Sequence, residues 1–290
     1  MTGPPAATAA VRVAVRRCLQ GVDGPVSAAV SGGADSLALA AALAFERPGS
    51  GAVVVDHQLQ AGSDEVAAKA AAQCTGLGLT PRVLTGTPRG HSEADARELR
   101  YALLGTVEGT VLLGHTLDDQ AESVLLGLIR GSGTRAASGM PPIRGRYRRP
   151  FLEVSRETTR RACQEAGLEP WEDPHNVDPS YTRVRARTLL DGLEVTTGLA
   201  RSARLLREDA DALDALTVVT DDVAQLLAMP VALRSRSLKG WAEQQCGQAV
   251  TSAHVDALRA LVEAWRGQGP VALPGGGRAV RERGRLAFVR

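Results

Sequence analysis

The chain has 290 residues, enough for two domains at roughly 150 residues each. With 44% hydrophobic and 23% charged residues it has the composition of a globular protein, which excludes a disordered chain. Thirty-four basic residues against 32 acidic ones leave +2, and only Lys69 and Lys239 are lysines; neither stands in a G-x-x-x-x-G-K-[ST] loop, so Walker-type kinases and GTPases are excluded.

Taken in order, Met1–Ala10 is Pro/Ala-rich and uncharged, and reads as a loose leader without the basic-then-apolar order of a secretory signal. Short apolar runs at Val26–Val30, Ala52–Val55, Arg82–Leu84 and Val111–Leu113 predict strands. Between and after them, Ser36–Phe45, Asp64–Gly76, Glu93–Val107 and Leu117–Arg130 predict helices, the alternation of βαβ units around a buried parallel sheet. A loop rich in Gly, Pro and Arg follows from Gly131 to Pro150, then an amphipathic Ser155–Gly167 and a polar, turn-rich Trp171–Tyr181. Helical spacing dominates Ala200–Leu227, Val231–Gln245 and Ser252–Trp265. A Gly/Pro break at Gly267–Gly277 leads to Arg278–Arg290, which alternates and can pair as a hairpin. The expected organisation is an α/β domain over 1–195 and a smaller, mainly helical domain over 196–290. The longest apolar run, Leu37–Phe45, is too short to span a bilayer. Cys18, Cys74, Cys163 and Cys246 lie far apart and form no C-x-x-C pair, which fits a reducing, cytoplasmic setting and speaks against a zinc or iron–sulfur site.

Two motifs carry the chemistry. Directly after the first strand comes Ser31-Gly32-Gly33-Ala34-Asp35-Ser36, and a helix then begins. The glycines allow positive φ and close approach of a ligand, and the first helical amides have no internal partners, so the loop forms a site for phosphate or pyrophosphate. After the second strand, Asp56 and His57 fall beside it, at the carboxyl ends where open α/β sheets bind ligands. After the fourth strand comes Gly114-His115-Thr116-Leu117-Asp118-Asp119-Gln120-Ala121-Glu122. Asp118 and Glu122 are four apart and share a helix face, with His115 just ahead of the helix.

The SGGxDS loop resembles the PP-loop of the N-type ATP pyrophosphatases, which split ATP between the α and β phosphates. That resemblance implies ATP as substrate, a Rossmann-like PP-loop domain, a loop that holds the leaving pyrophosphate through Ser31–Ser36, and Mg²⁺ at Asp35. The second motif, followed by Arg130-Gly131-Ser132-Gly133, is similar to the tRNA(Ile)-lysidine synthetases within this group. The likeness extends through Ala96-Arg97, Arg100-Tyr101, Arg149-Pro150, Glu172-Asp173, Asn176 and Asp178, about Ser31 to Arg187 in all. Ser123 stands where threonine is usual, and Arg183-Val184 where an Arg-Asn pair is typical.

The family implies that ATP adenylates the wobble cytidine of the CAU anticodon of tRNA(Ile) and that free L-lysine then displaces AMP. For this chemistry the resemblance points to Asp35 with Asp118 or Asp119 for the metal, Glu122 or the remaining aspartate for lysine, and His115 for orientation. Nine arginines between Arg130 and Arg161 against Glu153 and Glu157 give that stretch +7 and leave −5 elsewhere. Arg130, Arg135, Arg144, Arg146, Arg148 and Arg149, with Arg97, are therefore the expected RNA-facing set. Tyr147, Phe151, Trp171 and Tyr181 are available for base stacking. The rivals are a tRNA thiolase or amide-forming synthetase of the same group, and a non-catalytic RNA- or nucleotide-binding module.

Overall fold

The computed structural model describes residues 3–58, 62–90, 92–173, 182–193 and 195–290. They fall into two compact units, Met1–Arg207 and Glu208–Arg290. The first unit opens with helix α1 (Ala6–Cys18), followed by β1 (Val26–Val30), α2 (Ala34–Glu46), β2 (Gly51–Asp56), α3 (Ser63–Gly76) and β3 (Thr80–Thr85). It continues with α4 (Glu93–Gly105), β4 (Thr110–Leu113), α5 (Leu117–Ile129), α6 (Thr134–Ala137), β5 (Ile143–Arg144), β6 (Tyr147–Arg148), α7 (Arg156–Glu165) and α8 (Thr182–Asp191). The units divide after Arg207, inside α9 (Thr196–Ala215), whose first residue is the one at which the sequence pattern began the second domain.

The sheet order is β3-β2-β1-β4-β6-β5, parallel throughout except for the last pair. All five residues of β1 are buried, as a central strand covered on both faces requires. Alternate residues divide between the faces. Ala28, Val30, Val54 and Leu112 join the larger core with Leu37, Leu39 and Leu43 of α2, Val11 and Val15 of α1, Ala67 and Ala70 of α3, and Ala162 of α7. Ala29, Val53, Val111 and Leu113 face the other way, onto Leu104 of α4 and Val107.

Three features depart from the sequence pattern. The leader is largely helix: Ala7, Val11 and Val15 recur at four-residue spacing and are buried, and that stripe anchors α1. The Gly/Pro/Arg loop contains the two-residue strands β5 and β6, with Ile143 opposite Arg148 across the turn at Gly145, and β6 extends the sheet beside β4. The stretch Ala200–Leu227 breaks after Ala215 and resumes as α10 (Val223–Ala228), where Asp222 accepts the Gln225 N–H and caps a new helix start.

In the second unit α10 is followed by α11 (Val231–Cys246), α12 (Ser252–Glu263) and three antiparallel strands, β7 (Val271–Ala272), β8 (Arg278–Glu282) and β9 (Arg285–Val289). The hairpin expected at the carboxyl end is β8–β9, whose turn residues Arg283 and Gly284 both have positive φ (49° and 78°). The Gly/Pro break contributes β7 as well. Val223, Leu226, Leu238, Trp241, Leu258, Leu261 and Leu286 build a core of this unit's own.

Candidate active site

In the strand order, β1 connects to β2 on one side while β4 lies on the other, so the loops leaving β1 and β4 open a crevice between them. Two helix amino ends converge there, those of α2 and α5. Gly114 lies so close to the α2 start that a Cβ on it would stand 3.2 Å from the Asp35 carbonyl oxygen.

The first loop is set by Gly32, whose φ of +86° is costly for any residue with a Cβ. Gly33 occupies the N-cap position of α2 and supplies no side-chain cap, which leaves the first helical amides to whatever anion the loop receives. Ser36, expected as a ligand contact, also locks the loop: its Oγ donates to the Gly33 carbonyl (2.8 Å) and accepts the Ser31 N–H (3.1 Å). The Gly32 carbonyl accepts the Trp171 N–H at 2.9 Å. Beside the loop, a cavity of about 240 Å³ is lined by Ala29, Val53, Val55, Asp56, His57, Arg100, Trp171 and Asp173 among others. Asp56 is 5% exposed, and its Oδ1 accepts the Gln58 N–H (2.9 Å). Burial, reinforced by Arg100, holds His57 below the usual imidazole range, and its buried Nδ1 has no partner among the described residues.

The second loop leads into α5 through a capping box: Thr116 caps Asp119, and Asp119 Oδ2 accepts the Thr116 N–H (2.7 Å). Two aspartates in the first turn complement the helix dipole. Gln120 is structural, its amide bonded both ways to the Met140 backbone (2.7 and 3.0 Å). Asp35, Asp118, Asp119 and Glu122 are gathered by one residue, Arg156. Its N–H donates to Asp118 Oδ2 (2.7 Å), and its Nη2 donates to Asp119 Oδ1 (2.8 Å) and Glu122 Oε1 (3.0 Å). Its Nε lies 3.9 Å from Asp35 Oδ2. Glu122 Oε1 also accepts from Arg187 Nε (2.9 Å), whereas the buried Oε2 has no partner among the described residues.

These surroundings separate the carboxylates. Burial lifts Asp35 above the usual carboxylate range, assisted by the charge of Asp119 and opposed by the Thr159 hydroxyl that donates to it. Asp119 is buried too, but Arg156 and the Thr116 bonds outweigh that burial and hold it below the usual range. Burial, with Arg100 second, pushes His115 down to about 3, so its imidazole is neutral at working pH.

The arginines expected to face RNA fall into three groups. Arg130 and Arg144 are exposed, and Arg97 lies over the Tyr101 ring at 4.9 Å on an exposed helix face. Arg135, in α6, is half-buried. Arg146 is bonded to the carbonyls of Gly109 (2.9 Å) and Gly105 (3.1 Å), Arg148 to that of Cys18 (2.6 Å), and Arg149, 3% exposed, to that of Pro141 (2.7 Å). These three brace the protein, because a guanidinium fork matches carbonyl groups left without partners at helix and strand ends. Sequence reading missed Arg156, Arg187 and Thr159 as site residues. Arg156 carried a signal, since a cation one residue after the capping serine Ser155 sits against the helix dipole. Asn176, Asp178 and Tyr181 lie outside the described residues.

A family model of the PP-loop domain matches residues 15–192, and one of the TilS substrate binding domain matches residues 222–287. The tRNA(Ile)-lysidine synthase of Leifsonia xyli subsp. xyli (strain CTCB07) is 48% identical over 293 residues, covering 89% of this chain and 88% of that protein. That of Nocardia farcinica (strain IFM 10152) is 47% identical, with coverage of 97% and 96%. The chain belongs to the tRNA(Ile)-lysidine synthase family. The fold resembles that of a solved U34-tRNA thiolase, NcsA from Methanococcus maripaludis, at TM-score 0.53 and 19% identity, over 69% of this chain and 80% of that one. The four cysteines are unpaired, and burial pushes the Cys74 and Cys163 thiols up to about 11. No helix among the described residues is long and apolar enough to cross a membrane.

Proposed function

We propose that this protein forms lysidine at the wobble cytidine of a tRNA(Ile) with a CAU anticodon, using ATP and free L-lysine. The observation that carries the reading is the meeting, at one crevice, of an amide-lined anion loop and a helix end bearing three carboxylates.

The cytidine O2 attacks the α-phosphorus of ATP, and the bond to pyrophosphate breaks. The backbone of Ser31–Asp35 holds the departing pyrophosphate, and the cavity between β1, β2 and Trp171 takes the nucleoside, with apolar strand ends for the base and polar groups at Asp56 and His57. The lysine ε-amine then attacks C2, and AMP leaves with the former O2. An ammonium of ordinary pKa near 10 must first lose a proton, so a carboxylate has to be in reach. Glu122 suits that place, because its buried Oε2 is an acceptor with no partner among the described residues. Neutral His115 orients substrate by hydrogen bonding and adds no charge.

The donor set suits Mg²⁺, which takes one or two carboxylates and completes its shell with water and phosphate oxygens. Asp35 and Asp119 are close enough to influence each other's charge and would hold it, whereas Asp118 is engaged by the α7 backbone. When bound, the ion neutralises charge on the phosphates. The exposed Arg130 and Arg144, together with Arg97 stacked on Tyr101, offer phosphate contacts and a stacking surface to the anticodon loop.

The thiolase rival loses support from the buried, high-pKa thiols. Incubation with ATP, labelled lysine and either tRNA(Ile) or the methionine tRNA of the same anticodon tests the reading. Label should enter tRNA(Ile) alone, with AMP formed; label in neither tRNA overturns it.

A further inference from the structure

Arg156 touches every member of the acid set, through its backbone N–H to Asp118 and its guanidinium to Asp119, Glu122 and, at 3.9 Å, Asp35. Its side chain is 14% exposed and stands at the positive end of α7, a place that disfavours a cation unless carboxylates compensate. The dependence is mutual. Arg187, bonded to Glu122 Oε1 at 2.9 Å, reaches one of the four carboxylates, whereas Arg156 reaches them all.

The segment around Arg156 also joins the two loops mechanically. The Leu117 N–H donates to the Val154 carbonyl (3.0 Å), which pins the α7 approach to the start of α5. Thr159, one turn further on, donates to Asp35 at the start of α2 and also to the Arg156 carbonyl (2.9 Å). The first turn of α7 therefore links the PP-loop helix to the acid helix. By bonding Glu122 Oε1 together with Arg187, Arg156 leaves Oε2 as the open oxygen.

Resting on the lysidine-forming reading, we infer that Arg156 is a positioning residue for this reaction, holding Asp35, Asp119 and Glu122 in the one arrangement in which the adenylated cytidine and the lysine ammonium meet. It touches neither substrate. Its flat fork serves two carboxylates from a single nitrogen while Nε faces a third, a geometry that a lysine cannot copy.

Steady-state lysine incorporation into tRNA(Ile) by Arg156→Gln, Arg156→Lys and Arg156→Ala tests this, with Arg16→Gln, in an exposed pair with Glu46, as the control. Arg156→Gln should lower kcat about 100-fold, the scale of an ångström-level misplacement. Its lysine KM should stay within about threefold, because removing a cation does not weaken attraction for an ammonium. Arg156→Lys should melt like the wild type yet remain at least about tenfold below it in kcat. Arg156→Ala should regain activity in added ethylguanidinium, to which Arg16→Gln should not respond. Wild-type kcat in Arg156→Gln or Arg156→Lys, or a loss in Arg156→Ala that ethylguanidinium leaves unchanged, would overturn the assignment. Failure of the wild-type protein to incorporate lysine would instead sink the functional reading.

Discussion

The anion loop at Ser31–Ser36 and the arginine-rich stretch from Arg130 to Arg161 are both short segments with an obvious composition, yet they relate to the fold in opposite ways. In the loop, the capacity to receive an anion lies in the backbone: a positive φ at Gly32 and the uncapped start of α2. Those are local consequences of sequence. In the basic stretch, +7 of formal charge does not become +7 of surface potential. Arg146, Arg148 and Arg149 bond protein carbonyls, and Arg156 is folded into the acid cluster. Charge counted along a chain measures an RNA-facing surface only after subtracting the guanidiniums that the protein itself uses.

Asp35→Asn should show the largest effect, removing the loop's only carboxylate and slowing tRNA-dependent pyrophosphate release by about 10²–10³-fold. If rapid-quench measurement gives the wild-type rate, the Asp35 carboxylate has no chemical role and the loop acts through its backbone alone. Next in size, Arg149→Ala should cost about 2 kcal/mol in a denaturant titration, because a buried guanidinium bonded to Pro141 and Tyr101 is lost. Arg144→Ala, exposed on β5, should not move the midpoint. Equal midpoints would show that the inward and outward arginines are not distinct.

A third effect is on acid stability. His115 has a folded pKa near 3 against an ordinary 6.5, so between those values the unfolded chain binds more protons than the native one. The contribution of His115 to stability is therefore complete above pH 6.5 and is lost as pH falls toward 3. Melting temperatures of His115→Gln across that window should decline less steeply than those of the wild type; parallel curves would refute the buried, neutral imidazole. The smallest effect belongs to Arg144→Ala in tRNA binding, a few-fold loss of affinity with the salt slope reduced by about one. An unchanged slope would remove Arg144 from the RNA-facing set.

Much of the first unit was legible because its signals are local. Val26–Val30 and the glycines after it specify strand, loop and helix within a dozen residues, and Thr116 and Asp119 write their own capping box. What was not legible depended on partners far away in the chain. β5 and β6 are two residues each, too short to show a period, and exist because β4 offers an edge. Ala7, Val11 and Val15 look unremarkable beside Pro4 and Pro5, and become a helix face only against α2 and α7. Arg156 counts as one more basic residue until Asp119 and Glu122 are brought to it from more than thirty positions earlier.

The central claim, that the anion loop and the acid turn form one adenylating site, is tested most directly by following phosphate. With tRNA(Ile) and no lysine, [α-³²P]ATP should label the RNA, [γ-³²P]ATP should not, and Asp35→Asn should abolish the labelling. Label entering RNA from the γ position, or none from the α position in the wild-type protein, would contradict the account.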